Sequence, residues 1–194
     1  MLERRNCRRL IATGVTLVCG ALAAASFTSP AQAVTASATL NAGTLGFVSA
    51  PSAVTFPAVT LNGLNQTTSA SQTFDVGDAS GSGAGWNITA TSTTFTTGTY
   101  TLPATATTVQ SAPAAPTCDS NSTCTAATAS GSVTYPYTLP AAATAPAATR
   151  LYSAAANTGM GDQSFSATWM LTIPSNVHAG AYASTWTESL VSGP

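Results

Sequence analysis

Side chains able to do acid–base or nucleophilic chemistry are scarce in this chain. The single histidine, His178, falls in a turn between two strand-like runs and has no acid near it in sequence. A Ser-His-Asp arrangement also needs a recognisable nucleophile, and nothing marks one. A carboxylate pair for sugar cleavage would have to be drawn from Asp75, Asp78, Asp119, Asp162 and Glu188, three of which sit in Gly- or Ser-rich turns. The Gly-rich run from Asp78 to Gly85 leads into Trp86-Asn87-Ile88-Thr89-Ala90, which alternates as a strand, whereas a phosphate-binding loop must be followed by a helix. These patterns argue against an enzyme, and no cofactor is expected.

Binding chemistry is better represented. Tryptophans and tyrosines can stack on sugar faces while Ser, Thr and Asn bond hydroxyls, and Trp86, Trp169 and Trp186 each lie on the apolar side of an alternating run. Core packing is the plainer reading of all three, most strongly of Trp169. Which of Trp86, Trp186, Tyr135, Tyr137 and Tyr152 are exposed would define the ligand face. Asp75 and Asp78 could contribute to a calcium site; Asx-type turn capping is the preferred reading, and no metal is expected. Cys118 and Cys124 enclose five residues and read as a local disulfide in an exported protein, worth roughly 2 kcal/mol by chain entropy.

The elements that must position these groups are strands. Phe165, Ala167, Trp169, Leu171 and Ile173 are spaced by two, as are Tyr182, Ser184, Trp186, Glu188 and Leu190, and the two runs read as a terminal β-hairpin. Further runs lie near Thr35–Leu45, Ala53–Leu61, Gln72–Val76, Gly85–Phe95, Thr99–Val109, Gly131–Leu139 and Thr149–Ala154, with no stretch of helical periodicity. The expected fold is all-β, an antiparallel sandwich or barrel of about nine strands with Greek-key-like connections. Pro57, Pro103 and Pro136 place three runs at edges or bulges, and Ala112–Pro116 and Pro140–Ala148 read as loops. Glu188 stands out on its strand: if that face is buried, the carboxyl needs a partner, Arg150 being one option, or stays protonated. The alternative is a strand end open to water.

Of 194 residues, the first 33 read as a secretion signal. Arg4, Arg5, Arg8 and Arg9 precede an apolar stretch from Leu10 to Ala25, and Ala31-Gln32-Ala33 is a small-residue cleavage site. The general export route fits better than a twin-arginine route, and the chain after Ala33 is expected to stay off the membrane. Residues 34–194 suit one domain with a sizeable core. There Arg150 alone opposes Asp75, Asp78, Asp119, Asp162 and Glu188, a net charge of −4, and the chain holds no lysine. Nucleic acid is excluded on that balance, since phosphate neutralisation needs clustered cations.

Gly83-Ala84-Gly85-Trp86-Asn87-Ile88-Thr89-Ala90 resembles the first tryptophan motif of the WxL domain of Gram-positive bacteria, with Ile88 where leucine is usual. The ending Gly180-Ala181-Tyr182 through Glu188-Ser189-Leu190 to Pro194 resembles the distal motif, with Leu190 at the leucine position and Glu188 where tryptophan is usual. Trp186 precedes it by two residues. The resemblance implies a secreted cell-surface module bound noncovalently to the cell wall, with peptidoglycan as ligand and other surface proteins as further partners. The ligand-binding candidates are Trp86, Trp186, Tyr182 and Leu190. The rival reading is a structural protein that assembles with itself or with other surface proteins through exposed strand edges.

Overall fold

A computed structural model describes residues 32–194. The expected secretion signal therefore lies outside the described residues, except for its last two positions. The chain divides into a unit Met1–Thr39 and a unit Leu40–Pro194. In the first, described residues 32–39 are exposed and carry no regular structure. The second holds ten strands: β1 Leu45–Ser49, β2 Gln66–Asp78, β3 Trp86–Thr93, β4 Thr107–Val109, β5 Thr117–Cys118, β6 Tyr137–Thr138, β7 Ala141–Ala142, β8 Thr149–Ala154, β9 Gly161–Ile173 and β10 Trp186–Ser192.

Two sheets form a sandwich. The larger runs β1-β2-β9-β4-β6, with β5 also on β9; the smaller runs β10-β3-β7, with β8 also on β3. Pairing is antiparallel except for β3 with β7. The frame is the ladder between β2 and β9, thirteen residues each, in unbroken register from Gln66 opposite Ile173 to Asp78 opposite Gly161. Alternation then places Phe74 and Val76 of β2 beside Phe165, Ala167 and Trp169 of β9 on one buried face. From the other sheet Trp86, Ile88 and Ala90 of β3 meet them. Phe165 sits between rings, 5.3 Å from Phe74, 4.7 Å from Tyr152 and 6.3 Å from Trp86. In β8 a bulge leaves Leu151 between the pairs Ile88–Tyr152 and Thr89–Arg150, which lets consecutive residues Leu151 and Tyr152 both enter the core.

Several strand expectations are corrected. The last two alternating runs do not form a hairpin: β9 lies in the larger sheet and β10 pairs with β3 in the smaller one. Both bury the faces assigned to them, but against each other across the core, with the rings of Trp169 and Trp186 centred 4.8 Å apart. Ala53–Leu61 forms no strand, and the run from Thr35 becomes regular only at Leu45. The runs containing Pro103 and Pro136 shrink to the short strands β4 and β6, each beginning past its proline, which cannot donate to a ladder. Of the two expected loops, Pro140–Ala148 contributes the two-residue β7.

Tight turns at glycines let Trp86 enter the core. Gly83 and Gly85 have φ of 64° and 74°, and a Cβ on Gly85 would run into the carbonyls of Ala154 and Ala155. Gly159, at φ 79°, accepts the indole N–H of Trp86 at 2.9 Å on its carbonyl, and a Cβ there would collide with that same ring. Gly159→Ala is therefore expected to destabilise the fold by about 2 kcal/mol or more, through backbone strain and displacement of Trp86. A denaturant midpoint unchanged from wild type would contradict this account.

Candidate functional site

The two sheets differ in strand length, and the difference shapes the site. Beyond Trp169 and Gln72 the inner face of β2 and β9 runs past the end of β10, and a second, smaller cluster fills in, built on Leu102, Ala106 and Leu171. Residues 51–61 cross this overhang as a strap. It contacts β2 through side chains: Gln72 Nε2 donates to the carbonyl of Ser52 at 2.9 Å, Thr68 Oγ1 to Pro57 at 3.2 Å and Gln66 Nε2 to Thr60 at 3.1 Å. Pro51 and Pro57 and the absence of ladder bonds explain why alternation here yields no strand. Between the strap and residues 177–188 lies a groove of about 930 Å³, floored by Phe95, Leu171 and Ile173.

The groove gathers two of the four ligand-binding candidates, Trp186 and Tyr182. It does not include the others. Trp86 is 0 % exposed and its indole N–H is spent on Gly159, so it is a core residue. Leu190 is half-buried against the main core, directly opposite Ile88 on β3. Tyr135, Tyr137 and Tyr152 do not form a ligand face either. Tyr137 and Tyr152 are buried, and the hydroxyl of Tyr135 donates to the carbonyl of Leu151 at 2.6 Å. Burial, followed by the neighbouring tyrosines Tyr152 and Tyr137, pushes the Tyr135 phenol up to about 12.

Aromatics that periodicity did not single out take their place. At the mouth of the groove the rings of Tyr100 and His178 stack with centroids 3.7 Å apart, and Tyr182 donates its hydroxyl to the carbonyl of His178 at 3.0 Å. Tyr100 is 43 % exposed. His178 belongs to this rim and has no carboxylate partner among the described residues, so the arrangement suits stacking rather than proton transfer. A turn residue and a loop residue far apart in sequence leave no periodic signal of their meeting.

Glu188 lies on the groove floor. Its Oε2 accepts from Gln72 Nε2 at 3.1 Å, while Gln72 Oε1 accepts the indole N–H of Trp169 at 2.8 Å. Gln72 thus satisfies a core tryptophan, the strap and the carboxyl together. Arg150, the partner considered from sequence, is exposed on β8 and not involved. Oε1 of Glu188 is buried without a hydrogen bond. Burial outweighs the bond from Gln72 and raises the carboxyl from 4.5 to about 7.

At the opposite end, Asp78 caps its turn by accepting from Ser80 N at 2.9 Å and Ser80 Oγ at 2.6 Å, the Asx geometry preferred from sequence. Asp75 does not join it. It meets Asp119 and Asp162, with one oxygen from each within 4.8 Å of the others, an all-oxygen set of the kind a divalent cation takes. Burial, then the charges of Asp75 and Asp119, hold Asp162 above the usual carboxylate range. Asp119 is carried there by the loop that the Cys118–Cys124 disulfide closes, with Cα atoms 5.4 Å apart.

The Glu188 carboxyl sets a pH dependence. Its folded pKa is raised, so its contribution to stability is fully present below the unfolded value near 4.5 and is lost as pH climbs to about 7. The loss is roughly 1–2 kcal/mol once partial exposure to water is allowed for. Thermal midpoints measured across that window should fall for wild type and stay level for Glu188→Gln; parallel slopes would assign the dependence elsewhere.

The described sequence and geometry agree with what comparison with known proteins finds. The family model described as "WxL domain surface cell wall-binding" matches residues 27–194. No curated protein and no solved structure matches. The two signature stretches read from sequence, around Trp86 and around Leu190, are adjacent strands of one sheet, with Leu190 opposite Ile88 and Ser192 opposite Trp86. With the match spanning nearly all of it, the chain belongs to the WxL family of cell-surface, cell-wall-binding domains.

Proposed function

We propose that residues 34–194, freed of a secretion signal at 1–33, form an extracellular module that holds peptidoglycan noncovalently at the mouth of the groove. The observation that carries this reading is the aromatic rim of Tyr100, His178 and Tyr182 beside Trp186, on a member of a wall-binding family. Flat aromatic faces suit the apolar faces of sugar rings, and the Ser and Thr hydroxyls nearby suit their hydroxyls. The low charge of the domain fits recognition of the glycan by stacking and hydrogen bonds. Other surface proteins are further partners under this reading.

Cosedimentation with purified peptidoglycan tests it. Wild-type protein should pellet with the polymer, with little sensitivity to salt because few charges take part. The double variant Tyr100→Ala/Tyr182→Ala should bind about tenfold more weakly, since each stacked aromatic is worth roughly 0.5–1.5 kcal/mol. Tyr100 is exposed, so Tyr100→Ala alone should keep its thermal midpoint and still bind more weakly; Tyr182 packs against Leu102, Ala106 and Leu171, so the double variant is compared at a temperature where circular dichroism shows it folded. Full binding by the double variant, or binding only to walls that retain protein, would sink the reading.

A further inference from the structure

The groove has a backbone wall as well as aromatic ones. At either end of β10 the N–H of Thr93 donates to the carbonyl of Thr185 and the N–H of Gly193 donates to the carbonyl of Gly85, both at 2.9 Å. Register between β10 and β3 is continuous from Trp186 opposite Ser92 to Ser192 opposite Trp86. The odd-numbered residues therefore direct their N–H and C=O groups at β3, and the even-numbered ones, Ser184, Trp186, Glu188 and Leu190, direct theirs away from it. β10 is the last strand of its sheet on that side, and among the described residues no other strand pairs with it. The strap stands across the groove without backbone bonds to it. β1 packs beside β10 without pairing with it, and where β10 borders the apolar slot its edge carries no backbone bonds.

The chain also carries a strand-like sequence that, among the described residues, forms no ladder. Val34, Ala36, Ala38, Leu40 and Ala42 alternate with Thr35, Ser37, Thr39 and Asn41, and none is charged. These residues are exposed and form no regular structure, with Val34 at 89 % and Leu40 at 90 %. Alternation of this kind is the mark of a strand with one face covered, and among the described residues nothing covers it. Val34 to Leu40 is six residue steps, about 20 Å when extended. Ser184 to Leu190 is the same number of steps.

We infer that residues Val34–Ala42 of one copy of this chain add as a strand to the free edge of β10 in a second copy, with Val34 and Leu40 turned into the groove. Backbone bonds from the even-numbered residues of β10 supply the register, and the uncharged apolar face covers the apolar floor. The buried, unpaired Oε1 of Glu188 gains a donor from the incoming backbone or its hydroxyls. Each copy offers one donor segment and one acceptor edge, so the contact is head-to-tail and propagates. This goes beyond wall binding and does not rest on it.

The full chain, secreted through its own leader, is measured by light scattering from micromolar to millimolar concentration. Mass should rise with concentration through dimers to longer species. Leu40→Asp should weaken this roughly tenfold or more by forcing a charge into the slot. Because Leu40 is exposed, the variant should keep its thermal midpoint, and because it leaves the groove open it should bind peptidoglycan at least as well as wild type, which separates failure of this inference from failure of the wall-binding reading. With the added strand antiparallel, Val34 opposite Leu190 and Leu40 opposite Ser184, Ser37 faces Thr187; in a mixture of Ser37→Cys and Thr187→Cys proteins the crosslink should join one copy of each in preference to two alike. A monomer at every concentration, association undiminished in Leu40→Asp, or a crosslink confined within single chains of the Ser37→Cys/Thr187→Cys double variant would each overturn it. So would Trp186 fluorescence that responds to soluble peptidoglycan fragments but not to protein concentration.

Discussion

The thirteen-residue ladder between β2 and β9 imposes a mismatch that the rest of the molecule accommodates. The strands facing it across the core are eight, seven and six residues long. Where they overlap, a ring cluster around Phe165 closes the sandwich. Where they do not, the apolar residues Leu171 and Ile173 still need cover, since leaving such side chains in water costs about 1.5–3 kcal/mol apiece. A proline-bearing strap and the turn ahead of β10 provide that cover incompletely, and the groove is what remains.

Gln72 links the two regions. Its amide accepts from Trp169 and donates both to the strap and to Glu188, so an amide buried within the core is left with no unmet bond. The tryptophan-to-glutamate departure in the distal motif fits this arrangement. At position 188 the side chain lines the groove, where Gln72 meets one oxygen and the other is buried without a partner. The same placement keeps its proton affinity high.

Both family signatures serve one purpose in the structure. Trp86 and Ile88 on β3, and Leu190 on β10, are neighbours on the inner face of the smaller sheet, and they form the core. Their spacing reports the fold of the domain and is spent on its core. Of the rim groups, Tyr182 belongs to the distal signature, whereas Tyr100 and His178 come from irregular segments that carry no such pattern. For this reason two of the four binding candidates taken from the signatures lie away from the groove.

Alternation alone determined that the chain is all-β, that Trp169 points inward, and that Tyr182, Trp186, Glu188 and Leu190 share a face, because a strand half-covered by a core must repeat every two residues. Cysteine spacing likewise announced the Cys118–Cys124 loop, and the glycines before Trp86 announced its turn. Which strand pairs with which was decided only by the tertiary structure. The runs that become β9 and β10 would satisfy the same pattern as a hairpin or as opposite walls of a sandwich, and only the thirteen-residue match between β2 and β9 leaves β10 to seek β3. The groove, the stacking of Tyr100 on His178 and the meeting of Gln72 with Glu188, 116 positions apart, follow from that choice of partners. Periodicity records which side of a strand is covered and contains no term for what covers it.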